Sequence, residues 1–169
     1  MLPPAIKFVL LFLGSYLLMQ LAYTGYLWMY DPMVDPLTLY TAKLLQVLFS
    51  NSSLVDVPGA SKVQFLLDGK AMVNIKEGCN GLSVGIALLA FLIAFTAKAK
   101  KYLVFVPVCL LILFVSNIIR LYVLVRIRQS YPEHFVLFHE YVFPIILYAV
   151  AFVMMVLWVR KNTLLKNEI

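Results

Sequence analysis

The sequence predicts an all-α integral membrane protein of about four transmembrane helices, with a small helix and a β-hairpin outside the bilayer. Three observations predict it. Of the 169 residues, 63% are hydrophobic and 13% charged, whereas soluble domains carry roughly a quarter charged residues, so lipid must solvate much of the surface. Apolar stretches at 8–30, 82–97, 102–125 and 141–159 each approach the roughly 20 residues that cross hydrocarbon. Cations gather at the ends of these stretches, as they do at membrane boundaries. The organisation expected is a single membrane domain over 1–169, with spans at about 8–30, 80–97, 102–125 and 140–159 and an outer segment at 31–78.

The first stretch follows Lys7 and lacks a small-residue cleavage site before Tyr30, so it reads as an uncleaved anchor. Pro32 and Pro36 break that helix, and residues 37–49 have helix-like apolar spacing. Pro58-Gly59 marks a turn, and the runs 63–67 and 71–75 flank Asp68-Gly69, the signature of a tight hairpin. The second stretch reaches full span length only when its helix begins near Cys79-Asn80-Gly81. Lys98, Lys100 and Lys101 form a basic turn, and Arg160, Lys161 and Lys166 follow the last stretch, which places both sites on the cytoplasmic side. The outer segment and 126–138 then face outward, so the hairpin and small helix form a cap over the outer mouth of the bundle.

The net charge of +6 is dispersed along the chain and concentrated at membrane flanks, a pattern that gives no footprint for nucleic acid. Cys79 lies in a polar glycine-rich turn and Cys109 inside an apolar run, which argues against a disulfide framework. No Cys/His metal spacing, phosphate-cradling glycine loop or His-Glu-x-x-His helix occurs in the sequence, leaving no motif for a metal or a cofactor.

Polar groups at bilayer depth are expensive, and three stand out: Cys79 in Glu77-Gly78-Cys79-Asn80-Gly81, Arg120 in Asn117-Ile118-Ile119-Arg120, and His139 in Phe138-His139-Glu140. At 1.5 Å per residue, Cys79 lies about 28 Å from Lys98, Arg120 about 28 Å from Lys101, and His139 about 31 Å from Arg160. All three therefore reach one outer level, on three different helices. A thiol, a guanidinium and an imidazole are the inventory for acyl transfer by a cysteine nucleophile. Taken singly, each also has a structural reading: a small buried hydrophobe, as for Cys109, a snorkelling arginine, or an interfacial histidine. Asn80 is placed to cap the helix after Cys79, Gly81 and Gly85 form a small-xxx-small pair for close helix approach, and Asn117 sits one turn from Arg120, placed to orient it. His134 reads as a solvated loop residue, and the glutamates have no paired-carboxylate spacing.

At these residues the chain resembles the exosortase/archaeosortase family, whose members carry a Cys-polar-Gly motif, an Asn-x-x-Arg and a later His on successive helices. The matching positions are Cys79-Asn80-Gly81, Asn117 to Arg120, and His139. The resemblance runs from about residue 57 to residue 160, and the shortness of the chain is most similar to the compact exosortase F group. Phe143 stands where the family often carries a glycine soon after the histidine. The resemblance implies a membrane-embedded, transpeptidase-like cysteine enzyme in the bacterial inner membrane, its site facing the periplasm. Its substrates would be exported proteins with a C-terminal motif, a transmembrane helix and a basic tail. It implies catalytic roles for Cys79, Arg120 and His139, supporting roles for Asn80, Gly81 and Asn117, and no cofactor. Two alternatives share the same sequence: a membrane cysteine protease that releases the acyl group to water, and a non-catalytic membrane assembly subunit.

Overall fold

A computed structural model describes residues 3–95 and 99–164. The expected basic residues Lys98 and Lys166 lie outside them. Among the described residues, three helices are long and apolar enough to cross a membrane: α1 (Pro4–Trp28), α4 (Ala99–Ser130), and the helical run that begins at Pro132, passes through the short α5 (Phe135–Leu137) and ends in α6 (Phe143–Leu164). The fourth apolar helix, α3 (Leu82–Ala94), has 13 residues and so covers about 20 Å, less than the full span expected at 80–97. The shortening has a local cause at each end. Gly81 adopts a left-handed conformation just before the helix, and the Asn80 side chain accepts from Leu82 N at 2.9 Å, closing a turn that delays helix entry. At the far end the helix stops at Phe95, where Tyr102 donates to the Leu92 and Phe95 carbonyls and Trp158 Nε1 to that of Phe95, satisfying groups that a helix end leaves open.

Between α1 and α3 the chain builds the cap. Helix α2 (Pro36–Val47) has Pro36 in its first turn and Asp35 as N-cap, the Asp35 carboxylate accepting from the backbone N–H groups of Leu37 and Thr38 at 3.0 and 3.1 Å. Strands β1 (Ser52–Asp56), β2 (Lys62–Leu67) and β3 (Lys70–Lys76) form an antiparallel sheet in the order β1-β2-β3. The predicted hairpin is β2 and β3. Asp68 and Gly69 both have positive φ, 50° and 75°, as the two central residues of the favoured hairpin turn require. The strand added in front of it, β1, is a departure from the two-strand expectation.

Two apolar cores stack along α4. The cap-side core unites Leu45 and Phe49 with Val63, Phe65, Val73 and Ile75 of the sheet, and with Leu121, Leu124 and Val125 of α4. The second core joins Leu88 and Leu92 of α3 to Cys109 and Leu113 of α4 and to Leu147, Ala151 and Trp158 of α6. Helix α1 lies against α3 and has Tyr23 as its one buried residue among those described. Because α4 runs unbroken through both cores, with Pro107 inside it, it fixes the height of the cap relative to the bundle.

Candidate active site

Cys79 ends a 3-10 turn, Glu77–Cys79, that links β3 to α3. It is buried, at 5% exposure, three residues ahead of the first turn of α3 rather than at it. Its carbonyl accepts a hydrogen bond of 2.7 Å from Asn117 Nδ2. Asn117 therefore holds the cysteine turn, instead of orienting Arg120 as its spacing suggested. The contact needs Gly81. A Cβ on Gly81 would stand 3.2 Å from Asn117 Cγ and 3.3 Å from Asn117 Cβ, and its φ is +76°. A Cβ on Gly85 would meet Leu110 at an ordinary 3.5 Å, so both glycines of the small-xxx-small pair face α4.

Asn80 is 4% exposed, and all three of its described bonds hold the loop. Besides accepting from Leu82, it donates to Tyr23 Oη at 2.8 Å and to Thr38 Oγ1 at 3.3 Å. Tyr23 in turn donates to the Glu77 carbonyl at 3.2 Å. The cysteine turn is thus tied to α1 through Tyr23, to α2 through Thr38, and to α4 through Asn117. Sequence reasoning missed Tyr23 and Thr38, since nothing local marks a tyrosine in an apolar helix or a threonine in an amphipathic one as a loop clamp.

Arg120 is 9% exposed. Its charge lies within electrostatic range of both Cys79 and His139. Among the described residues its Nε has no hydrogen-bond partner, and neither does Oδ1 of Asn117 one turn away. An unpaired buried donor of this kind costs about 1–3 kcal/mol, a penalty typical of sites prepared for a ligand or for chemistry. His139 lies in a π-helical turn, Phe138–Val142, half-buried, with its ring stacked on Phe135 at 5.6 Å. Lys76 and Glu140 lie within electrostatic range of the same imidazole. His134 is exposed and Cys109 is buried in the second core. No group of three or more potential metal ligands occurs among the described residues.

The fold defines a polytopic membrane protein with a small folded cap, whose buried Arg120 on α4 lies within electrostatic range of Cys79 and His139. The model of the transmembrane exosortase family matches residues 4–159, and the chain belongs to that family. It is thereby a membrane protein involved in the processing of sorting signals. The match takes in α1 as well as the region from the cap onward that the motif resemblance covered. No curated protein and no solved structure matches the chain.

Proposed function

We propose that the protein is a cysteine transpeptidase-like enzyme that cleaves C-terminal sorting signals of exported, membrane-anchored proteins and passes the acyl group to an acceptor. The observation that supports this reading best is the buried Arg120, whose Nε has no hydrogen-bond partner among the described residues and whose charge lies within electrostatic range of both Cys79 and His139. Family membership supports a substrate that carries a C-terminal sorting signal; in this reading the signal is a short motif, a transmembrane helix and a basic tail.

In this mechanism the Cys79 thiolate attacks the scissile carbonyl and forms a C–S bond. Arg120 stabilises the negative charge that develops on the carbonyl oxygen, which buried, preoriented donors do far better than water. The tetrahedral intermediate collapses, the C–N bond breaks, and His139 delivers a proton to the departing amine. The acceptor then gives its proton to His139 and attacks the thioester carbonyl, and Cys79 leaves as thiolate. Asn117, Asn80, Tyr23 and Thr38 keep the thiol in place without touching the reacting atoms. With Lys100, Lys101, Arg160 and Lys161 on the cytoplasmic face of the bacterial inner membrane, the cap and the thiol open to the periplasm. The compact exosortase F group is the corresponding subfamily.

The test is processing of a reporter carrying a C-terminal motif, helix and basic tail, followed by mass spectrometry of the new C-terminus. A mass increment identifies transfer, and a free carboxylate identifies a protease that uses water. Unchanged processing by Cys79→Ala would reject cysteine chemistry and leave a non-catalytic assembly role.

A further inference from the structure

Helix α2 turns its polarity the wrong way for a helix in water. Thr38, Thr41, Ala42 and Leu45 face inward at 0% exposure, whereas Tyr40 is 55% and Val47 81% exposed, with Leu48 just beyond at 50%. In a helix bathed by water the apolar stripe points to the core. Here hydroxyls point in and large apolar groups point out, as lipid contact favours. Lys43 is the lone charged residue of the helix and stands on the exposed face with Tyr40 and Val47.

Depth can be read from contacts with the long helices. The Tyr40 ring stacks on Phe114, centroids 6.4 Å apart, and Phe49, just past α2, stacks on Tyr122 at 4.9 Å. Measured along α4 from Lys100, Phe114 lies at about 21 Å and Tyr122 at about 33 Å, against a hydrocarbon thickness of about 30 Å. Helix α1 gives a second ruler. Tyr23, which shares Asn80 with Thr38 of α2, lies about 24 Å from Lys7. Both rulers put the first half of α2 below the hydrocarbon boundary, and tilt of either helix lowers it further.

We infer that α2 is not a water-exposed part of the cap but a re-entrant helix lodged in the cap-side leaflet, its Tyr40–Val47 face in contact with phospholipid and Lys43 reaching a lipid phosphate. The helix climbs obliquely from acyl-chain depth at Tyr40 to the headgroups near Phe49, so the Lys43 stem has only a few ångströms to snorkel. Since Thr38 on the opposite face bonds Asn80, the turn that carries Cys79 rests on an element whose seat is the lipid itself.

The test needs no catalysis and therefore stands apart from the cysteine mechanism. Tyr40→Cys, Val47→Cys and, as a water reference, Asp68→Cys are introduced singly into a full-length Cys79→Ala chain. Cys109, at 2% exposure, is shielded from labelling. Each variant is spin-labelled and placed in nanodiscs of phosphatidylethanolamine and phosphatidylglycerol, and collision rates with oxygen and with a neutral nickel chelate are measured. We expect the oxygen-to-chelate ratio at 40 and 47 to exceed that at 68 several-fold. Chelate access equal to that at 68 would overturn the inference by placing α2 in water. Shielding from both reagents would overturn it by assigning the face to protein. In the Tyr40→Cys chain, Lys43→Glu raises chelate access and Lys43→Arg does not. An indifferent response to Lys43→Glu removes the phosphate contact.

Discussion

Gly81→Ala isolates the geometry of the cysteine turn. The substitution adds one methyl group at a backbone of φ +76°, 3.2 Å from Asn117 Cγ. A left-handed conformation costs an alanine about 1–2 kcal/mol. Displacement of Asn117 adds about 1–3 kcal/mol, because the buried Cys79 carbonyl loses its 2.7 Å donor. The expected destabilisation is therefore about 2–5 kcal/mol, set against Gly85→Ala, whose Cβ meets Leu110 at 3.5 Å in a normal helical backbone and costs little. Unfolding in mixed micelles would be compared for both variants and wild type, together with the alkylation rate of Cys79 by a small thiol reagent. Gly81→Ala should unfold earlier and expose its thiol faster. Gly81→Asn separates the two contributions, as asparagine tolerates the left-handed backbone but still collides with Asn117. Equal stability of Gly81→Ala and Gly85→Ala would refute the argument that this turn is held by close approach to α4.

Three further outcomes are expected. Cys79→Ala abolishes processing of a tailed reporter while Cys109→Ala, in the second core, leaves it nearly intact, as followed by the ratio of processed to unprocessed reporter. Arg120→Lys preserves protein level but slows processing by about 10²-fold, the usual loss when one oxyanion donor goes, because lysine replaces a planar fork with a mobile point charge. Arg126→Lys, whose guanidinium is exposed over Phe49 and Tyr122, is the control and processes like wild type. Tyr23→Phe keeps its stacking on Tyr26 but releases Asn80 and the Glu77 carbonyl, so kcat falls about fivefold, equivalent to about 1 kcal/mol, at unchanged KM. A parallel rise in KM would instead assign Tyr23 to substrate binding.

The parts legible in the sequence are those with a local cause. Apolar runs announce α1, α4 and α6, and Asp68-Gly69 announces the hairpin because only certain residues accept its two positive φ values. The order of Cys79, Arg120 and His139 along the chain, each beside a different apolar helix, is read directly from the sequence. What escaped depends on contacts between distant segments. Strand β1, Ser52–Asp56, is an edge strand without a clean alternation of buried and exposed positions, so its pairing with β2 leaves no periodic trace. Spacing pairs Asn117 with Arg120 one turn away, and its bond to the Cys79 carbonyl rests on tertiary packing against Gly81 that leaves no local mark. Spacing announces α2 as a helix, but its apolar periodicity says nothing about what covers its outer face.

The π turn at Phe138–Val142 has a consequence for how such a protein can vary. A π turn behaves as one residue inserted into an α-helix without ending it, and each residue of an α-helix advances the side chains by about 100°. The packing of Leu147, Ala151 and Trp158 against α3 and α4 is set after this turn, and His139 sits within it, at its second residue. The two are therefore out of phase with a regular helix and are joined by a single adjustable step. Loss of one residue within the turn would swing the imidazole about a quarter of the way round the helix while the core below kept its register. The histidine is thus mounted on a rotary joint in the sequence, and its aim and the stability of the bundle can be altered separately.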